Sequence, residues 1–508
     1  MSKNAEVFDL FAGPGGLAEG FSAFEDPKGN RPFNIGISVE KEASAHRTLE
    51  LRAFYRSFGE DVPEAYYEYL RGYIDRDTLF ERFPSNAEIA WAETLNGQRE
   101  LGKRKDDEII FRAIRQNLKT TRDVTVVIGG PPCQAYSVVG RARSRGIRGY
   151  RPEDDRRHFL YRDYLRILAL ASPEVFVMEN VKGILSCQVN GTNIFPRILD
   201  DLTHPAKALR QSSGARYRIY SLVERQLELG ALVDGNYLIK SEQYGIPQTR
   251  HRVILLGVRE DLKSTPARLC PNEQRLIVQD AIADLPRIRS TLSKEKDSAS
   301  AWQRVIHDIA RNVSRELRKS GFSGRMALSA AVNAKRISSP GGSFIATDQK
   351  TIRNAKLNRW YRDRRIGGYI NHEARGHMAA DLERYLFCAC YTRQNRGISP
   401  RSHEIPRQFA PEHKNWNTGD FTDRFRVQAA NRPSSTITSH VAKDGHYFIH
   451  YDPVQCRSLT VRESARLQTF PDNYFFEGNR TEQFTQVGNA VPPLLARQIA
   501  EVVWNLIV

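Results

Sequence analysis

The chain has 508 residues, of which 40% are hydrophobic and 27% charged, so two or three globular domains with a sizeable core are expected. No run of about 18 apolar residues occurs, which predicts no membrane span. Six cysteines are too few for a disulfide scaffold and Met1 is followed almost at once by a predicted strand, so we expect a cytoplasmic protein without a signal peptide.

The formal net charge of +17 predicts a polyanionic partner, and most of the excess falls in one stretch. Residues 262–452 contain 33 Lys and Arg against 18 Asp and Glu, a net charge of +15. A generally basic surface would spread the charge more evenly. The distribution predicts a nucleic-acid-binding segment between two nearly neutral pieces.

The first predicted strand covers residues 7–11 and leads through a glycine-rich turn (AGPGG) into a helix. Glycines in such a turn let the backbone approach a ligand, which the helix N-terminus then faces. The turn lacks the full dinucleotide-binding spacing. A second predicted strand, residues 33–40, ends in Glu40, whose carboxylate could accept bonds from ribose hydroxyls. The alternative for Glu40 is a solvated acid at a helix start.

Residues 51–122 form an insert of helical patterns whose role the sequence does not define. Four tyrosines recur at spacings near three and four, which predicts one packed helix face, with base stacking as the alternative. They are Tyr66, Tyr67, Tyr69 and Tyr73.

Cys133 lies just past a predicted buried strand, residues 124–128 (VTVVI). The turn GGPPCQ around it is made rigid by two prolines. Open α/β sheets bind ligands at the carboxyl ends of strands, so the thiol is well placed for attack; the alternative is a small buried hydrophobe. Residues 140–150, rich in Arg and Gly, predict a mobile basic loop that closes over a phosphate backbone.

Two further predicted strands bring polar groups to the same region. Residues 175–178 end in Glu179, after a predicted helix over residues 159–171. Gln248, Arg250 and Arg252 alternate along another strand and therefore share a face. The alternative for these three residues is an edge strand with a wet face.

Six blocks in this order resemble those of the DNA cytosine-5 methyltransferases. No single block is specific, but their order along almost the whole catalytic half is. The blocks are DLFAGPGG at 9–16, GPPCQ at 130–134, ENV at 179–181, QxRxR at 248–252, RxLTxRExARLQxFP at 457–471 and QVGNAVPP at 486–493.

The resemblance implies an α/β fold with a Rossmann-like, mostly parallel, doubly wound sheet that binds S-adenosylmethionine. The catalytic domain would cover residues 1–261, including the helical insert at 51–122. A smaller target-recognition domain would be inserted at 262–455, and residues 456–508 would return to complete the catalytic domain.

The resemblance also implies which residues hold S-adenosylmethionine. The family's acidic residue that meets the adenine has no clear counterpart, because the insert lies where it should be. No metal is expected, since Cys388 and Cys390 near His372 and His377 fit no standard zinc spacing. The expected cofactor contacts are Phe11, Gly13, Gly15, Gly16, Glu40, Pro131, Leu160, Asn489 and Val491.

Four residues would carry the chemistry. Carbon 5 of cytosine is a poor nucleophile, but addition of the Cys133 thiolate to carbon 6 makes it enamine-like and able to accept a methyl group. By resemblance, a protonated Glu179 would contact ring nitrogen 3, while Arg252 would hold the 2-oxo group with support from Arg250. The base must be flipped out, because it cannot be reached inside a duplex.

These features predict a modification enzyme of a bacterial or phage restriction-modification system that makes 5-methylcytosine at a specific sequence in double-stranded DNA. It would act as a monomer, away from membranes, in the cytoplasm or nucleoid. A cognate restriction endonuclease could be encoded nearby without a stable complex. One alternative is a tRNA cytosine-5 methyltransferase, against which the long segment 262–455 argues. Another is a silent DNA-binding regulator, against which the intact Cys133, Glu179 and Arg252 argue.

Overall fold

The computed structural model describes residues 4–120, 124–131, 160–189, 192–224, 234–411, 416 and 423–508. Within them, the largest element is a seven-stranded sheet in the spatial order β2–β1–β3–β4–β7–β5, with β6 also paired to β7. The strands are β1 (Ala5–Leu10), β2 (Phe33–Val39), β3 (Val124–Gly129), β4 (Val175–Val181), β5 (Tyr217–Tyr220), β6 (Leu238–Lys240) and β7 (His251–Arg259).

Six of these seven strands run in one direction. Strands β1 to β4 pair in parallel, and β7 is antiparallel to each of its neighbours β4, β5 and β6. Parallel strands that are covered on both faces are typically continuous apolar runs, as β3 is. The prediction of a mostly parallel α/β sheet is confirmed.

The described α-helices lie partly on the two faces of this sheet and partly in the later segments of the chain. They are α1 (Gly16–Ser22), α2 (Ala43–Arg56), α3 (Glu64–Leu70), α4 (Arg76–Arg82), α5 (Pro84–Glu93), α6 (Arg104–Thr120), α7 (Leu160–Ala171), α8 (Phe195–Thr203), α9 (Pro205–Ala208), α10 (Val278–Ile282), α11 (Ala299–Lys319), α12 (Arg325–Ala334), α13 (Ala355–Tyr361), α14 (Ala379–Gln394), α15 (Val461–Leu467), α16 (Arg480–Asn489) and α17 (Pro493–Ile507).

Both faces of the sheet are covered, because successive side chains of a strand point to opposite sides. Val7 of β1 packs in one core with α1 and α17, and the next residue, Phe8, packs in a second core with α6, α7 and α8. The sheet is therefore doubly wound, as predicted. None of the described helices has the length and apolar character that a bilayer-spanning helix needs.

The helical insert packs against residues from much later in the chain. Helices α2 to α5 share a core with Ile366 and Ile370. Tyr66 and Tyr67 are buried there, but Tyr73 is 68% exposed, so the prediction of a single packed tyrosine face is wrong for that residue. Tyr73 follows the end of α3 and no longer shares its helical periodicity.

Residues 262–455, called the recognition segment here, have one core of their own and share another. The first core joins α11, α12 and α14 and draws only on residues between Leu292 and Cys456. The second joins α10 and α13 to α15, α16 and other residues of the return segment, 456–508. The three-part domain division stays a prediction.

The shorter strands join neighbouring parts of the chain. Two strands form a hairpin in the recognition segment: β8 (Gly341–Ala346) and β9 (Gly368–Glu373). Four two-residue pairs complete the described strands: Gln188–Val189 with Thr192–Asn193, Gln248–Thr249 with Ser434–Ser435, Thr291–Leu292 with Gly376–His377, and Val427–Gln428 with Ile449–His450.

Candidate active site

The turn between β1 and α1, residues 11–16, has a backbone that most residues avoid. Phe11, Gly13 and Gly15 have φ angles of 54°, 58° and 86°. A left-handed conformation is easy for glycine but costs energy for phenylalanine, so the surrounding structure must hold Phe11 there. The Gly13 N–H donates to Glu40 Oε2 at 2.7 Å, which fixes the turn against the end of β2.

Glu40 is buried and held by backbone groups. Its Oε1 accepts hydrogen bonds from the N–H groups of Lys41 and Glu42 at 2.9 and 2.8 Å. Burial raises the pKa of this carboxyl, and these bonds and the one from Gly13 oppose that rise. At 9% exposure, Glu40 is not the solvated acid of the alternative interpretation. Its oxygens retain lone pairs for a hydroxyl donor.

The C-terminal segment closes over the same turn. A Cβ on Gly16 would lie 2.2 Å from Val491 O, so only glycine fits where α1 meets the residues before α17. The hydroxyl of Tyr474 donates to Pro14 O on the other side of the turn. Val491 is buried, whereas Asn489 is exposed. The structure thus brings Val491 to the predicted cofactor-binding turn.

Glu179 and Arg252 face each other across the end of strands β4 and β7. Arg252 Nε lies 2.8 Å from Glu179 Oε1, and both side chains are largely buried. A Cβ on Gly130 would lie 3.0 Å from Glu179 Oε2, so the backbone that follows β3 passes close to this carboxylate. The structure brings together two of the four predicted catalytic residues, at the carboxyl edge of the sheet.

The backbone toward Cys133 is described as far as Pro131. Pro131 is buried, and its carbonyl accepts a bond from Asn180 Nδ2 at 3.4 Å. Cys133 and the predicted loop 140–150 lie outside the described residues. Leu160, the first described residue after them, begins α7 and is partly buried.

Arg250 and Gln248 connect the sheet to the C-terminal half of the chain. Both are buried, so the alternative of a wet edge strand is wrong for them. Arg250 Nη1 donates to Ile437 O at 2.9 Å and Gly488 O at 3.1 Å. Burial lowers the pKa of Arg250, and the Arg252 charge adds to this effect. Arg250 thus holds main-chain carbonyls, and its catalytic role stays a prediction.

Gln248 makes the same kind of connection through its amide. Its Nε2 donates to Leu467 O at 3.0 Å, and its Oε1 accepts from the Ile437 N–H at 2.7 Å. Gln248 and Thr249 also form a short parallel strand pair with Ser434 and Ser435. This part of the QxRxR block therefore docks the recognition and return segments on the sheet.

The structure brings a segment of the insert close to the end of β2, which the sequence patterns did not predict. The Arg99 N–H donates to Glu40 O at 2.8 Å, so residues 99–101 run beside the end of β2. Glu100 follows directly, with a half-exposed side chain 3.7 Å from Lys41 Nζ. The insert of residues 51–122 separates Glu100 from β2 in sequence, so no sequence pattern connects it with the end of that strand.

The model of the family described as "C-5 cytosine-specific DNA methylase" matches residues 92–505. The chain belongs to this family. The prediction of a DNA cytosine-5 methyltransferase is therefore confirmed. The matched range includes β3, Glu179, Arg252 and the return segment through residue 505.

Proteins similar to this chain carry related names. The type II methyltransferase M.Bpa9945I of Bacillus paralicheniformis is 33% identical over 99% of both chains. The DNA (cytosine-5-)-methyltransferase M.ApeKI of Aeropyrum pernix is 26% identical over 75% of this methyltransferase and 81% of the relative. A solved putative DNA modification methyltransferase encoded within an E. coli prophage has a TM-score of 0.48 and 19% identity, with 99% of each chain covered.

Proposed function

We propose that this methyltransferase transfers a methyl group from S-adenosylmethionine to carbon 5 of a flipped-out cytosine in duplex DNA. The single observation that carries the proposal is the Glu179–Arg252 pair, which lies where β3 and its turn lead toward Cys133. A carboxyl group and a guanidinium at one strand edge can contact the nitrogen 3 and 2-oxo side of a cytosine ring together.

The turn 11–16 fits S-adenosylmethionine. A Cβ on Gly13 would meet no atom within 4 Å, so there is open space over this part of the turn, and Glu40 is fixed beside it with lone pairs free for ribose hydroxyls. When bound, the cofactor supplies an electrophilic methyl group on a sulfonium. The residues that would hold it are Phe11, Gly13, Gly15, Gly16, Glu40, Pro131, Leu160, Asn489 and Val491.

Glu100 is our candidate for the acid that contacts the adenine amino group. It directly follows Arg99, whose N–H is bonded to the Glu40 carbonyl at the end of β2, and its side chain is half exposed. A carboxylate accepts hydrogen bonds from an exocyclic amine, as this contact requires.

The residues of this chain would then act in order. The Cys133 thiolate bonds to carbon 6, and Glu179, protonated, donates to nitrogen 3 as negative charge develops on the ring. Arg252 holds the 2-oxo group in the same step. After methyl transfer, the carbon 5 proton leaves to water and the Cys133–carbon 6 bond breaks, which restores the aromatic ring and the thiolate.

The name "type II methyltransferase" of the relative with 33% identity supports a role in a restriction-modification system. In this role the chain would act on its own, as a monomer in the cytoplasm, on double-stranded DNA. It would protect host DNA from an endonuclease encoded nearby, with which it need form no stable complex.

The test is methylation of DNA in cells that express the chain, followed by bisulfite sequencing. We expect 5-methylcytosine at one short recurring sequence, and none when Cys133→Ser is expressed. A duplex with 5-fluorocytosine at that site should trap the wild-type protein as an adduct that survives denaturing electrophoresis. Equal methylation by Cys133→Ser, or methylation of tRNA in place of DNA, would overturn the proposal.

A further inference from the structure

Helix α11, Ala299–Lys319, is the longest described helix of the recognition segment, and its two faces differ sharply. One face is buried in the core of that segment. Directly opposite lie four exposed arginines, at spacings of seven, four and three residues, which form what we call the arginine stripe. The stripe consists of Arg304, Arg311, Arg315 and Arg318, and the buried face of Trp302, Ile306, Ala310, Val313 and Leu317.

The spacing places the four guanidinium groups in one row. At 100° per residue they fall within an arc of about 60°, and at 1.5 Å per residue the row is about 21 Å long. No hydrogen bond or ion pair joins these four side chains to any residue that the structure describes. Asp308 is at the edge of the row, and its Oδ1 lies 3.5 Å from His307 Nδ1.

Four like charges in one row repel one another, and pairs at i,i+3 and i,i+4 destabilise a helix by a few tenths of a kcal/mol each. Solvated helix faces usually alternate the sign of charge, which avoids this cost. Elsewhere on the same helix, Lys319 is paired with Glu316 at 2.7 Å. The four arginines have no such ion pair with a described residue, which leaves their charges available to a partner outside the chain.

A basic loop of the recognition segment contacts the N-terminal part of α11. Gln303 Nε2 donates to Lys335 O at 3.4 Å, so the loop lies at the N-terminal end of the row. Lys335 and Arg336 are exposed, and the loop leads into the β8–β9 hairpin. Exposed basic side chains therefore lie both along α11 and in the loop bonded to its N-terminal part.

We propose that the arginine stripe binds the phosphate backbone of duplex DNA beside the target sequence. The proposal rests on the proposed function in duplex DNA and adds a contact away from the flipped base. Each DNA strand carries one phosphate per about 3.4 Å of helix axis, so a row of about 21 Å laid along the axis covers the axial length of roughly six phosphates of a strand. Arginine suits this role, since its guanidinium forms bidentate bonds with phosphate. Such contacts carry no sequence information and position the protein on the duplex.

The test removes the four charges together, as Arg304→Gln, Arg311→Gln, Arg315→Gln and Arg318→Gln. Binding to a labelled random-sequence duplex of about 40 base pairs is measured by anisotropy over a salt series. We expect at least tenfold weaker binding and a plot of log K against log salt less steep by roughly 2 to 4. In methyl transfer, KM for DNA should rise while kcat is unchanged.

Two matched variants make the result specific. Replacing the four arginines with lysine keeps the charges and should retain most of the salt slope. Removing four exposed charges from α6 instead, as Lys105→Gln, Arg112→Gln, Arg115→Gln and Lys119→Gln, should change binding far less. Circular dichroism establishes that each variant is folded. The double variant Arg311→Gln, Arg315→Gln should reduce the salt slope about half as much as the four-glutamine variant.

An unchanged salt slope in the four-glutamine variant would overturn the stripe as a DNA contact. Equal weakening by the α6 variant would also overturn it, because net charge alone would then explain the effect. Wild-type protein that binds no duplex at all, at low salt, would contradict the proposed function instead. Thus the two failures are distinguishable.

Discussion

At the scale of single residues, the Glu179–Arg252 pair has a matched counterpart on the same two strands. Seven residues further along β7, Arg259 Nη2 lies 2.8 Å from Glu174 Oε1, just before β4 begins. Both pairs join the two strands, but only the first lies at the carboxyl edge of β4, beside the turn after β3. The two pairs therefore separate a role in chemistry from a role in strand pairing.

We predict that Arg252→Gln lowers kcat for methyl transfer at least a hundredfold, because a cationic donor to the developing charge is lost. Arg259→Gln should leave kcat within about twofold, since its pair is partly exposed and worth little. Single-turnover assays at saturating DNA measure both variants, with duplex binding as a check. Equal loss of kcat in the two variants would contradict the assignment.

The sequence was sufficient to single out Glu179 and Glu40, because predicted strands end at these residues and parallel strands meet at one edge. Arg252 was singled out by the QxRxR block, since it lies at the start of β7, which is antiparallel to β4. The sequence could not show that Arg250 and Gln248 are buried docking residues. Both share a strand pattern with Arg252, and only the segments 437, 467–468 and 488, far away in sequence, reveal their partners. The position of our candidate Glu100 could not be predicted either, since it depends on the bond between its neighbour Arg99 and Glu40 across the insert.

At the scale of elements, the helical insert is fixed by a buried ion pair. Arg52 of α2 bonds Glu19 of α1 through Nε at 2.8 Å and Nη2 at 2.5 Å, and its Nη1 donates to Asn473 Oδ1. Asn473 in turn donates to Asp363 Oδ2 in the recognition segment. The insert is thus joined to the cofactor-binding helix and to the recognition segment.

We predict that removing one partner of this pair is worse than removing both. Arg52→Met or Glu19→Leu alone should cost about 3 to 5 kcal/mol, because each leaves a buried charge without its partner. The double variant should recover much of this loss. Urea unfolding of the four proteins forms a double-mutant cycle that gives the coupling. Additive losses would contradict a coupled buried pair.

A second feature at this scale is His372 of β9, which bonds Thr460, the residue before α15. The Nε2–H of His372 donates to Pro286 O at 2.9 Å, so Nδ1 accepts from the Thr460 hydroxyl at 3.0 Å. Both ring nitrogens are therefore satisfied by the neutral form. Burial lowers the pKa of His372 to about 4. Protonation in the folded state would place a charge in a buried site, and the nearby Glu463 carboxylate offsets this cost only in part.

The sign of the pH effect follows from this pKa. The unfolded chain takes up a proton near pH 6.5 and the folded one only near 4, so acid favours unfolding. We predict a loss of up to about 3 kcal/mol from this residue as pH falls across that window. His372→Gln should flatten this part of the dependence, and the exposed His307→Gln should not. Identical pH profiles of wild type and His372→Gln would contradict the prediction.

At the scale of the whole molecule, the chain is joined at several places that are far apart in sequence. Helix α1 packs on α17, and α15 and α16 share a core with α10 and α13. Buried Arg466 also bonds Asp284 in the recognition segment and Asp472 in the return segment, at 2.5 and 2.7 Å. The return segment is therefore a common support for the cofactor-binding turn and the recognition segment.

We predict that these shared cores make unfolding cooperative across the molecule. S-adenosylhomocysteine, added as a ligand for the turn 11–16, should raise the urea midpoint of β1 and of the return-segment helix α15 together, because it binds only the folded state. Pulsed hydrogen exchange with mass spectrometry resolves both regions. Helix α14 lies in the core that the recognition segment forms largely by itself, so it should follow less closely. If α15 instead unfolds at an unchanged urea concentration while β1 is stabilised, the return segment does not couple the two parts.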